Sequence, residues 1–180
     1  MPPFTLVEDT EVHRGFRFTV NRLRYRAADG EEFDRDVVRH PGAVAVVPLH
    51  DDGTVTLVRQ FRVALGDDLL ELPAGLRDVE GEADARTAER ELVEEAGLQA
   101  DHIELLTTFH NSPGFSDESV AIFLATGLHE VNHDRQGIEE QHMTIERLPL
   151  PDALDLVHTG AITDAKTIIG LTLTAGRRPA

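Results

Sequence analysis

Ala43 to Leu49 (AVAVVPL) is a continuous apolar run, and it reads as a buried strand. Strand signals surround it. Phe16, Phe18 and Val20 alternate at period two, as in a half-buried strand, and the phase then slips to Leu23 and Tyr25, marking a bulge or a second strand. Ala28-Asp29-Gly30 is a turn, and Phe33 to Arg39 reads as the returning strand. After the run, Asp51-Asp52-Gly53 predicts a hairpin turn into a strand over Thr54 to Phe61, with a short strand near Leu69 to Leu72.

The clearest helix is Asp84 to Ala96. Asp84 is its expected N-cap, Gly97 its C′ residue, and Ala85, Ala88, Leu92 and Ala96 its apolar stripe. Further strands are expected over Ile103 to Phe109, Ser119 to Thr126 and Met143 to Leu148, then helices over Pro151 to His158 and Asp164 to Thr174. Many strands, one central helix, more strands and two helices make an α+β or layered α/β/α chain rather than a regular βαβ alternation. At 180 residues there is room for one domain and a small attachment.

Charge narrows the function classes. The net charge is −16, which excludes a broad basic face for nucleic acid and disfavours docking on anionic membranes. It is uneven: residues 1–65 carry nine Arg and ten acids, whereas the rest carries eight Lys and Arg against twenty-three acids. Lysine occurs once, at Lys166. No cysteine is present, so disulfides and thiolate chemistry are excluded. No stretch approaches the roughly 18 apolar residues of a membrane span. The N-terminal MPPFTLVEDTE has no basic or apolar leader pattern, so the expected compartment is the cytoplasm.

The densest chemistry lies in Arg90-Glu91-Leu92-Val93-Glu94-Glu95-Ala96-Gly97. At about 100° per residue, Glu91, Glu94 and Glu95 fall within roughly 100° of arc. Like charges at these spacings, in the last two turns, oppose helix formation. A solvated acidic face is one explanation. A divalent cation is the other, because hard carboxylate oxygens bind it and it reverses the sign of the repulsion.

Context selects between them. Glu71-Leu72-Pro73-Ala74-Gly75 leads into Glu82, then seven residues, Arg90-Glu91-Leu92, one residue, Glu94-Glu95, one residue, and Gly97-Leu98. This resembles the Nudix box, G-x5-E-x7-R-E-U-x-E-E-x-G-U with U aliphatic, and departs from it only in having six residues between Gly75 and Glu82. The resemblance implies a Nudix fold, an α/β/α sandwich around a mixed sheet with an N-terminal antiparallel β extension over residues 1–40 and the hydrolase domain over 41–180. It also implies Mg²⁺ (or Mn²⁺), with Glu91, Glu95 and the Ala74 carbonyl as ligands and Glu94 as a ligand or ligand partner. Arg90 would orient the glutamates and Glu82 would anchor the loop.

Asn111-Ser112-Pro113-Gly114-Phe115-Ser116-Asp117-Glu118, with Arg14-Gly15-Phe16, Arg35-Asp36 and Gln60-Phe61-Arg62, is similar to the ADP-ribose pyrophosphatase branch. That branch implies a homodimer whose N-terminal strands cross to the partner subunit, and a nucleotide-sugar substrate. Phe16 would stack on adenine, or be a core aromatic. Arg35 and Asp36 would line the adenosine end. Arg62 would hold a phosphate, or pair on the surface. Ser112 and Glu118 would contact the terminal ribose, or Ser112 would only cap its loop; Leu76 would give a backbone or packing contact. The implied reaction is hydrolysis of ADP-ribose to AMP and ribose 5-phosphate. Alternatives are another nucleotide sugar or dinucleotide (GDP-mannose, ADP-glucose, NADH) or a non-catalytic ADP-ribose sensor.

The branch takes its general base from a late acidic loop, here Gln136 to His142. Register favours Glu139, with Glu140 as alternative base or third metal ligand; Gln141 stands where a further acid is common, and His142 reads as a surface residue. If Glu139 is the base, Glu139→Gln should lower turnover by about 10²–10⁴-fold. A larger loss in Glu140→Gln would reassign the role.

Overall fold

The computed structural model describes residues 3–132 and 142–177. Thus Glu139, Glu140 and Gln141 lie outside the described residues. The chain divides into two compact units, residues 1–42 with 109–119, and residues 43–108 with 120–180.

The first unit is an antiparallel sheet of β1 (Phe4–Arg14), β2 (Thr19–Ala27) and β3 (Glu32–Arg39), in that order. The sequence reading missed β1, because its alternation is weak and every residue in it is exposed. It also began the next strand too early. Phe16 lies in the β1–β2 turn, closed by Gly15 N–H donating to the Phe18 carbonyl (2.9 Å), and is 94% exposed. The core-aromatic reading of Phe16 is therefore wrong. Past the turn β2 is a single strand; the register shifts lie between Leu6 and Glu8 and between Glu11 and His13 of β1. Strand alternation buries Leu23 and puts Arg22, Arg24 and Arg26 on the opposite face. There they pair across the strand with Asp36, Asp34 and Glu32. Segment 109–119 joins this sheet through Val38 N–H to the Phe115 carbonyl (2.7 Å).

The second unit holds two sheets. One is mixed, ordered β7 (Ala74–Leu76), β4 (Ala43–Pro48), β9 (Ser119–Glu130), β8 (Leu98–His110), with β4 antiparallel to β7 and parallel to β9. The other is antiparallel, with β5 (Thr54–Arg62) between β10 (Thr144–Pro149) and β6 (Asp67–Glu71). The apolar run is the centre of the mixed sheet, and Val44 to Val47 are fully buried. Side-chain alternation sends Val44, Val46, Ala121 and Phe123 to one face, where Ala88, Leu92 and Ala96 of α1 (Asp84–Ala96) cover them. Val47 and Ile122 face the other way, against Gly170 of α3 (Ala165–Ala175). A Cβ at Gly170 would stand 2.6 Å from Leu72 Cδ1, so glycine there permits close packing. Helix α2 (Leu150–His158) packs on β10, β5 and α3. This is the expected α+β class, with helices on both faces of a mixed sheet.

One capping expectation fails. The N-cap of α1 is Ala83, with no side-chain cap, while Asp84 sits in the first turn and pairs with Arg77 at 3.3 Å. Gly97 does close the helix in the left-handed region (φ 63°), its N–H returning to the Leu92 and Val93 carbonyls. No helix among the described residues is long and apolar enough to cross a membrane.

Leu92 is completely buried between α1 and the sheet. Leu92→Ala should cost about 2–5 kcal/mol, read in a thermal melt as a Tm drop of about 5–15 °C.

Candidate active site

The short strand β7 and the helix α1 build the site in the second unit. Helical spacing puts Glu91 and Glu95 one turn apart on the inward side of α1, beside Leu92. Both are buried, at 7% and 4% exposure. They meet the strand end rather than solvent. Glu95 Oε2 accepts the Ala74 N–H at 2.8 Å. A Cβ built on Gly75 falls inside the Glu91 carboxyl group, so only glycine leaves room for it. Glycine here serves close approach, not an unusual turn.

Arg90 gathers the surrounding acids. Its Nη1 donates to Glu91 Oε1 (2.7 Å) and Glu94 Oε2 (3.2 Å), and its Nη2 lies 3.5 Å from Glu82 and 3.8 Å from Asp78. Glu82 also accepts from Thr87 Oγ1 at 2.9 Å. One guanidinium thus ties the loop after β7 to the helix.

Burial pushes the Glu95 carboxyl up to about 8, helped by the negative charge of Glu91 and opposed by the Ala74 N–H, Arg62 and Lys166. An acid held protonated near neutral pH beside a second buried acid suits a missing positive charge. The available donors are hard oxygens: two carboxylates and the Ala74 carbonyl. That set fits Mg²⁺ or Mn²⁺. Among the described residues, no three His, Asp or Glu side chains form a ready-made ion site.

Arg62 is half-exposed, but its partner is a buried carboxylate and not the surface partner that the alternative to phosphate binding expected. Its Nε and Nη2 donate to both oxygens of Glu71 (2.7 and 2.6 Å), and Glu71 is 1% exposed. Burial opposes ionisation of Glu71, yet Arg62 and Lys166 hold its carboxyl below the usual range. Glu71, Lys166, Asp164 and Thr167 were assigned no role from sequence. The signals present were the lone lysine, the place of Glu71 at the head of the segment leading into the box, and Asp164 at the start of the last predicted helix. Leu76 is half-buried in β7 and pairs with Ala43.

The remaining candidates belong to the first unit. Arg35 stacks its guanidinium 4.8 Å from the Phe33 ring centre and donates to the Asp34 carbonyl. Asp36 takes a two-pronged bond from Arg22 (2.9 and 3.2 Å), which holds its carboxyl below the ordinary value. The Ser112 carbonyl accepts from Phe115 and Ser116 N–H, forming a tight turn through Pro113 and Gly114. Glu118 accepts from Asn111 Nδ2 at 2.8 Å and lies 3.4 Å from His40 Nδ1. In the second unit, His142 is exposed.

These features agree with comparisons to known proteins. Residues 38–169 match the NUDIX domain family. The chain is 42% identical over 168 residues to an ADP-ribose pyrophosphatase of Mycobacterium tuberculosis, covering 93% of this chain and 81% of that one. An ADP-ribose pyrophosphatase of Bacillus subtilis is 41% identical, covering 77% and 75%. A crystal structure of an ADP compounds hydrolase shares the fold, with a TM-score of 0.83 at 24% identity, over 97% of this chain and 94% of that one. The chain belongs to the NUDIX family.

Two outcomes follow for the metal-free protein. The folded Glu95 binds its proton more tightly than the unfolded one, so between its ordinary value of 4.5 and about 8 stability falls as pH rises. Thermal melts across that window should show the slope, and Glu95→Gln should flatten it. Gly75→Ala should displace Glu91 and weaken Mn²⁺ uptake in a titration while the far-ultraviolet spectrum stays native.

Proposed function

We propose that the protein hydrolyses the pyrophosphate bond of ADP-ribose, giving AMP and ribose 5-phosphate. The observation that carries this reading is the pair of buried carboxylates, Glu91 and Glu95, fitted against Ala74 and Gly75. The identity to ADP-ribose pyrophosphatases selects the substrate.

Glu91, Glu95 and the Ala74 carbonyl would hold Mg²⁺ or Mn²⁺. When bound, such an ion neutralises the diphosphate charge and lowers the pKa of a coordinated water. Arg90 keeps Glu91 and Glu94 oriented through two hydrogen bonds from one nitrogen. Arg62 faces the substrate phosphate with whatever of its guanidinium Glu71 leaves available. Glu139, or Glu140 in its place, takes the proton from the attacking water as general base. Attack at phosphorus then expels the other phosphate as leaving group.

In the first unit, Phe16 offers its exposed ring to adenine, with Arg35 and Asp36 lining the adenosine end. Ser112 and Glu118 serve the terminal ribose, and Leu76 contacts the substrate from β7. Residues 1–40 act as a β extension that crosses to a second copy in a homodimer, and residues 41–180 as the hydrolase domain. The enzyme works in the cytoplasm.

The test is release of AMP, with and without Mg²⁺, from ADP-ribose and a panel of GDP-mannose, ADP-glucose and NADH. ADP-ribose should be cleaved fastest, and only with the metal. Glu95→Gln should lose at least about 100-fold in turnover, since even partners of metal ligands cost 10–100-fold. Retained activity in that folded variant would refute the metal assignment. Mg²⁺ at a hundredfold excess over its Kd should raise the wild-type Tm by about 5–10 °C, and leave the variant nearly unmoved.

A further inference from the structure

The residues that reach the carboxylate pair do so from a five-residue rail, Glu71 to Gly75. Its far end is fastened by a second polar cluster. Glu71 is buried and receives three donors: Arg62 Nε at 2.7 Å, Arg62 Nη2 at 2.6 Å, and Lys166 Nζ. Lys166 Nζ also lies 3.0 Å from Asp164. Asp164 caps α3 by accepting from the Thr167 N–H (3.0 Å) and hydroxyl (2.6 Å). The Thr167 hydroxyl oxygen in turn accepts the Leu72 N–H at 2.8 Å. Two cations and two anions balance, so the first turn of α3 grips two successive rail residues, one by side chain and one by backbone. At the next two residues, the Pro73 carbonyl accepts from Val46 N–H (2.9 Å), and the Ala74 N–H meets Glu95.

We propose that Lys166 is a positioning residue, which with Asp164 locks Glu71 and so sets the register in which the Ala74 backbone meets Glu95. The proposal rests on the functional reading above, because it concerns the same metal-binding backbone. Among the described residues Lys166 bonds to neither carboxylate of the pair; its charge reaches Glu95 only across space, and its contacts go to Glu71 and Asp164. A lysine suits the place because Arg62 already occupies both Glu71 oxygens from one side. A compact ammonium with freely directed donors can close the other side and reach Asp164 at once. Removing Lys166 leaves Glu71 held by Arg62 alone and Asp164 without its cation, so the rail should loosen where Glu71 and Leu72 are held.

The test compares Lys166→Met, Lys166→Arg and the charge-paired double variant Glu71→Gln/Lys166→Met with wild type. The first readout is residue-resolved amide exchange on the metal-free chain. In Lys166→Met, Leu72 and Ala74 amides should exchange faster relative to Leu92 and Leu124, which report the core. The second readout is Mn²⁺ affinity, expected to fall about 10-fold or more, as for other groups that orient ligands. Turnover of ADP-ribose should drop by a similar factor with KM changed little, and Lys166→Arg should recover part of the loss. If Lys166→Met does not fold, the double variant, which removes one charge of each sign and keeps the cluster's net charge at zero, should show the same exchange and affinity defects.

Unchanged Leu72 and Ala74 exchange together with wild-type Mn²⁺ affinity, in whichever of Lys166→Met and the double variant folds, would overturn the proposal. A wild-type chain that does not cleave ADP-ribose would instead sink the functional reading. Exchange and Mn²⁺ binding would still decide the role of Lys166.

Discussion

Two carboxylates one helical turn apart, both taken out of water, govern the second unit. Burying Glu91 and Glu95 side by side is costly by itself, since each charge loses hydration and repels the other. Three things offset that cost: the Ala74 N–H on Glu95, the Arg90 guanidinium on Glu91, and the proton that burial leaves on Glu95 near neutral pH. The proton removes one of the two charges, and Arg90 faces the other. The strand end is shaped to the helix at this point, down to the absent Cβ at Gly75. Perturbed ionisation of this kind clusters at functional sites.

Around this pair the polar groups are layered. Arg90 ties the loop acids Glu82 and Asp78 to Glu91 and Glu94, so the helix and the loop before it share one cation. On the other side, Arg62 and Lys166 share Glu71. The β5 and β6 strands and the start of α3 therefore converge on Glu71, the first residue of the rail. Apolar packing supplies the rigidity beneath. Leu92 and Ala88 seat α1 on the mixed sheet, and Leu72 packs under Gly170 of α3.

The first unit follows a different rule. Its arginines pair with acids across strands at the surface, where water screens each exposed pair and leaves it worth little. Their value is registry: Arg22, Arg24 and Arg26 face Asp36, Asp34 and Glu32 in strict succession, and a slip of one residue would turn each to the wrong face. The near-zero net charge of residues 1–65 reflects this pairing, while the surplus acids lie beyond.

Much of this was legible in the chain alone, because local rules carry it. The period of 3.6 and the Gly97 stop bounded α1 correctly, and the continuous apolar run marked the central strand. The box spacing picked out Glu91 and Glu95, since helix geometry converts spacing of four into one face. What the chain could not show depends on partners far apart in sequence. The exposed β1 and the three-residue β7 carry too little hydrophobic period to be seen, and exist because neighbouring strands satisfy their backbone. Phe16 obeys strand alternation but lies in a turn, because hairpin closure overrides a short pattern. Glu71 and Lys166 stand 95 residues apart, and only the packing of α3 against the strand end makes them one ion pair. Sequence singled out the candidate side chains; tertiary structure decided which are buried and beside which partners, and burial and partners together set their charge.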